Sequence, residues 1–250
     1  MSASSSPPTS DQALLRLLQG SKATAIADVI AVMKAIDSLL PGTDGLKWFN
    51  LLYLNVTQQV DTQPASAWQD PTWLLHLDVV FAGLYFKAIS DWLQGSDDVP
   101  SSWKALLESR FAEGIDRIQF ALAGMNAHIN HDLALALLQT DRDLNIIPSK
   151  TSPEHEDYEQ VNGILEAELP LALQFLATGI VGQLAQDTGM IGRLLAIWNV
   201  RAARDLAWDF ADHLRSLPTI NRALALAAQD QITGVLGRTL LLMVDPARKG

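Results

Sequence analysis

Between Pro71 and Leu93 the chain is apolar on nearly every side of a helix, through Leu74, Leu75, Leu77, Val79, Val80, Phe81, Leu84, Tyr85 and Phe86. Such a helix is stable in water only when other helices surround it. Asp70-Pro71 marks its start, an acid able to cap followed by proline in the first turn. The other apolar stretches also repeat at helical spacing, and nowhere does the pattern alternate as a half-buried strand would. The sequence therefore predicts an all-α fold, a single helical-bundle-like domain of about seven to nine helices with one or two nearly apolar ones at its centre.

Start and stop signals divide the rest. Helices are expected over 11–18 with Ser10 as cap, 22–40 ended by Pro41-Gly42, and 43–60. A long helix from Ser101 or Ser102, bent near Gly114, is expected to reach about Leu138. Another opens at Ser152-Pro153-Glu154, with Pro170 kinking or restarting it. A helical run from Gly179 and Gly182 to Leu217 and a last helix over 219–244 complete the bundle. Residues 1–10 are read as a disordered tail, 11–245 as the domain and 246–250 as a polar tail.

Composition limits the partners. A net charge of −10 makes a phosphate backbone or an anionic membrane a poor match. The absence of cysteine rules out disulfides, a thiol nucleophile and thiolate-bound zinc. His76, Asp78 and Lys87 interrupt the most apolar run, so no bilayer-spanning helix is expected, and the N-terminal residues lack the pattern of a secretion signal. A cytoplasmic protein with a small-molecule ligand is the expectation.

Chemistry concentrates in Gly124–Leu135, GMNAHINHDLAL, where two histidines, two asparagines and an aspartate interrupt an apolar helix. Residues four apart share a helix face, so His128 and Asp132 can present an imidazole and a carboxylate to one point. Asp78 lies among core-type residues, and a buried carboxylate must be paired, hydrogen-bonded, protonated or metal-bound. Arg204 enters the central cavity as an anion clamp or as partner to Asp78, or else belongs to a surface ladder with Trp198, Arg201, Asp205, Trp208 and Asp212. His155 opens a helix after a loop able to fold back onto the motif. The acids beside it, Glu154, Glu156 and Asp157, complement the helix dipole.

The segments FNLLYLNVT at 49–57, HLDVVFAGLYFKA at 76–88, GMNAHINHDLALAL at 124–137 and HEDYEQVNGIL at 155–165 resemble an uncharacterised bacterial family of helical domains of unknown function. The resemblance implies that Asn126, His128, Asn130 and Asp132 form a shared polar centre, joined by His155, Tyr158 and Asn162 from the next helix, with His131 in a variable slot. It implies no activity. A more distant resemblance links the His-x-x-x-Asp pair to the helical zinc-dependent phospholipases C and the single-strand nucleases of the same fold. This chain has too few histidines for their three-zinc cluster, which leaves room for one metal.

Three functions follow from these residues. One is a metal-dependent hydrolase or lyase acting on a small molecule, with His128, Asp132, His155 and Asp78 holding one divalent ion, Zn, Fe or Mn. There, Asn126, Asn130 and Asn162 would orient ligands or substrate, and Arg204 would neutralise an anionic group. Another is a metal-free pocket, a cyclase, isomerase or binder, with His128 and Asp132 as an acid/base dyad and Trp48, Tyr53, Phe81 and Tyr85 lining an apolar cavity. The third is a buried polar network that only fixes the packing of a scaffold.

Overall fold

Side-chain caps set where several helices begin. Asp44 accepts from the backbone N–H of Leu46 at 3.0 Å, Asp70 from Trp73 at 3.0 Å and Asn199 from Ala202 at 3.0 Å. The computed structural model describes residues 9–178 and 199–242. Its helices are α1 (Thr9–Gly20), α2 (Ile26–Leu39), α3 (Gly45–Asp61), α4 (Pro71–Leu93), α5 (Ser101–Ser109), α6 (Arg117–Ala127), α7 (Leu133–Leu144), α8 (Pro153–Thr178), α9 (Val200–Ser216) and α10 (Thr219–Leu240). A 3₁₀ turn, Ala65–Ala67, precedes α4, and a π-helical turn, His128–Asp132, joins α6 to α7 without a break. Counting that joined helix once gives nine helices, and there is no strand among the described residues, as the periodicity predicts.

Four expectations change. The helix expected over 101–138 is two helices: Arg110 at the end of α5 is held by Asp44 and Asp11, Gly114 turns the chain at φ +78°, and Asp116 restarts it. Thr9 and Ser10 are helical and not tail. The last helix stops at Leu240, while residues 1–8, 179–198 and 243–250, with the expectations placed on them, lie outside the described residues. Finally, α4 is by length and composition able to cross a bilayer despite His76, Asp78 and Lys87. Here it packs against α1, α2, α7 and α8. Pro170 lies within α8, which continues to Thr178.

The most enclosed helix is α6, where every residue from Ile118 to Ala127 is buried, whereas α4 leaves Leu75 42% exposed. Close approach makes that enclosure possible. A Cβ on Gly124 would come within 2.3 Å of the Phe49 ring, so glycine lets α3 lie directly on α6. On the other side, a Cβ on Gly234 or Gly237 of α10 would come within 2.8 Å of Ser101 or 2.9 Å of Ala105 of α5. Thus α6, the π turn and α7 form the hub, with α3, α4, α9 and α10 packed along it.

Candidate functional site

At the hub the helix widens by one residue: Leu133 N–H bonds to the carbonyl of His128, five positions back. Such π turns are rare and concentrate at functional sites. His128 Nδ1 lies 2.9 Å from Asp132 Oδ2, and Trp103 Nε1 of α5 donates to the same oxygen at 2.9 Å. Both dyad residues are 2% exposed. Phe81 of α4 stacks on the imidazole at 3.5 Å with planes 4° apart, and the rings of Tyr53 and Phe49 approach it at 4.5 and 5.7 Å. The imidazole is therefore fixed in position and orientation.

Beside it is a cavity of about 70 Å³, several times the ~10–15 Å³ that one water needs. Leu52, Tyr53, Phe81, Met125, Val161 and Leu165 make its wall apolar, while His128, Asp78 and Arg204 supply polarity. His128 Nε2 and Asp78 Oδ2 are buried and have no hydrogen-bond partner among the described residues. Burial holds the His128 imidazole well below its ordinary pKa, so it is neutral near pH 7. Burial pushes the Asp132 carboxyl to about 7, opposed by His131 and the Trp103 hydrogen bond and reinforced by Asp230. Enclosure raises Asp78 to about 7 as well, with the Arg204 charge opposing it. When Asp132 is ionised, Nδ1–H donates to it and Nε2 is left as an acceptor.

Arg204 reaches the cavity from α9, where the sequence pattern also allowed a surface ladder. Its Nε donates to Asn162 Oδ1 at 2.6 Å, its Nη2 to the Tyr158 carbonyl at 3.1 Å, and its guanidinium covers the Tyr158 ring at 4.1 Å. Tyr158 Oη donates in turn to the Arg204 carbonyl at 2.7 Å. Arg201 does take a surface role, pairing with Glu159 and Glu166, but Trp208 is a core residue, 1% exposed.

Other expected members of the centre lie elsewhere. Asn126 donates to the Thr233 carbonyl of α10 at 2.9 Å, and Asn130 donates to Asn126 at 2.9 Å, so both amides serve the α10 contact. His155 packs on Trp208 with ring centroids 4.6 Å apart and is 3.9 Å from Glu159. Tyr85 bonds Asn50 at 3.2 Å behind the aromatic cluster, and Trp48 carries Arg117 over its ring at 4.2 Å. Asp157 holds the backbone N–H groups of Gln69 and Asp70 at 2.7 and 2.6 Å, a tie to the loop before α4 instead of a dipole partner for α8. No three His, Asp or Glu side chains converge as a metal site among the described residues. The four residues His128, Asp132, His155 and Asp78 are not brought to one point: Asp132 bonds to His128 and Trp103, and His155 packs on Trp208.

Trp103 is the participant the sequence did not disclose. A buried indole N–H usually finds an acceptor, but nothing in the spacing from 103 to 132 names which one.

The model of a family described as "Family of unknown function (DUF5995)" matches residues 26–243. The chain belongs to DUF5995. The match takes in the dyad, Asp78, Trp103 and Arg204, while α1 precedes it. No curated protein and no solved structure matches the chain.

Proposed function

We propose that the protein binds a small, largely apolar molecule in the cavity beside the π turn, oriented by a hydrogen bond to His128 Nε2. The observation that carries this reading is the coincidence of two buried, unpartnered polar atoms, His128 Nε2 and Asp78 Oδ2, on residues lining one apolar cavity. Other buried polar atoms among the described residues also lack a partner, Trp73 Nε1 and Trp208 Nε1 among them, but none of those residues lines this cavity, and each atom left bare costs about 1–3 kcal/mol. A ligand bearing one polar group repays that cost, and apolar walls with a few placed polar groups are what small-molecule sites use.

The test is a panel of phenol, indole and benzyl alcohol titrated into isotope-labelled protein. Binding shifts the resonances of His128, Ile129 and Val161, and Val161→Phe, which fills the cavity, abolishes it. Failure of every compound to bind, or equal binding by Val161→Phe, refutes the reading.

Two titratable groups on one cavity favour a second reading, proton transfer within the bound molecule. A neutral His128 accepts a proton at Nε2, and a protonated Asp78 can return one. Deuterium wash-in at the α-carbon of acetophenone, lost in His128→Gln, would support it. Wash-in at the uncatalysed rate would refute it.

A further inference from the structure

We propose that the cavity is built for a small organic carboxylate, with its anionic head against Arg204 and its body among Leu52, Val56, Phe81 and Leu165. The proposal rests on the pocket reading above and names the chemical class of its ligand.

Arg204 carries the argument. It is 5% exposed, lines the cavity, and has no carboxylate oxygen within 4.0 Å among the described residues. The other enclosed arginines differ: Arg110 meets Asp44 and Asp11, and Arg215 meets Asp141 and Asp212. Asn162 and the Tyr158 carbonyl fix the Arg204 guanidinium through Nε and Nη2, but both partners are neutral. Its Nη1 makes no hydrogen bond among the described residues. The protein thus orients a buried cation with no carboxylate in ion-pair contact among the described residues, and that arrangement is costly until an anion arrives. A planar guanidinium with a free N–H edge suits a carboxylate.

Asp78 belongs to the same wall without forming an ion pair with Arg204. The groups facing it among the described residues are Arg204 from α9, the Tyr53 phenol from α3 and His128 from the π turn, while the described side chains of α8 contribute only Val161 and Leu165 to this wall. With its carboxyl raised to about 7, Asp78 in the protonated form donates a hydrogen bond to a bound carboxylate instead of repelling it. Apart from Thr57, whose hydroxyl donates to the Tyr53 carbonyl at 2.9 Å, the rest of the wall among the described residues is apolar and offers nothing to a polyanion or a sugar. A volume of about 70 Å³, against the ~150 Å³ of a cavity that takes up benzene, restricts the body to a short chain, or to a single ring for which the walls give way.

The experiment is calorimetric titration of the full chain at pH 6.5 with benzoate, benzyl alcohol and benzylamine, three molecules of one skeleton. Benzoate is expected to bind at least tenfold more tightly than benzyl alcohol. In Arg204→Gln that preference falls below twofold while benzyl alcohol still binds. Because Arg204 also fastens α9 to α8, Asp78→Asn provides an independent variant: at pH 8, where the wild-type carboxyl is mostly ionised, the amide keeps the shape, removes the competing anion and tightens benzoate severalfold relative to benzyl alcohol. Equal affinity for acid and alcohol, or preference for the amine, overturns the anion assignment and leaves the pocket standing. Binding of none of the three overturns both.

Discussion

Replacing Asp132 with Asn isolates the electrostatic cost held in the dyad. The folded carboxyl titrates at about 7, against an ordinary value of 3.8. The native state therefore keeps a proton that the unfolded chain releases. Stability from this group is full below about pH 4 and is lost as pH rises through 7. At 1.36 kcal/mol per pH unit, the loss between pH 5 and pH 8 is about 2–3 kcal/mol. Asparagine does not titrate, yet an amide oxygen in the Oδ2 position can still accept from both Trp103 Nε1–H and His128 Nδ1–H. Asp78, with the same sign of shift, is present in both proteins and cancels. Urea unfolding followed by far-ultraviolet circular dichroism at pH 5 and pH 8 gives the four free energies. Relative to wild type, Asp132→Asn should gain about 2–3 kcal/mol across that interval. A gap constant to within about 0.5 kcal/mol would show Asp132 ionised at both pH values, with Trp103 and His131 outweighing burial.

Three further perturbations probe the frame around the site. Gly124→Ala should destabilise by about 1–3 kcal/mol, because its Cβ meets the Phe49 ring at 2.3 Å, and should broaden the His128 ring resonances as Phe49 shifts. Arg110→Met leaves Asp44, 0% exposed, without its cation and should cost about 3–5 kcal/mol in urea unfolding. Adding Asp44→Asn to that variant should recover part of the loss. Asp157→Ala removes the acceptor for two backbone N–H groups, so the amides of Gln69 and Asp70 should exchange with deuterium faster, at a stability cost of about 2–3 kcal/mol.

The helices were legible because their signals are local. Asp70-Pro71 fixes the start of α4, and Asp44 caps α3 within the same few residues that announce it. The break between α5 and α6 depends on a distant contact, since Arg110 is drawn to Asp44, 66 positions away, and a helix read through Gly114 takes no account of that pull. The site divides in the same way. His128 and Asp132 are four apart and meet as their spacing requires. Trp103 and Arg204 reach the cavity region only through packing of α5 and α9 on the hub, and no spacing encodes that approach.

Helix geometry also explains why the motif serves two purposes. Asn126, His128, Asn130 and Asp132 follow one another at intervals of two, and on a helix a step of two turns a side chain to roughly the opposite face. Asn126 and Asn130 accordingly form one four-apart pair against α10, and His128 and Asp132 form the other among the aromatic rings of α3, α4 and α5. What resembled a single polar centre is a pair of back-to-back contacts sharing one stretch of helix. One fastens α10, with Gln229 donating to the Asn130 carbonyl at 2.8 Å, and the other lines the cavity through His128. Because the two pairs are carried on one rigid turn, a force that loosens α10 also reaches the imidazole. Asn126→Ala should therefore disturb the His128 resonances although its side chain bonds to the opposite helix, whereas an unchanged His128 signal would show the two faces to be mechanically independent.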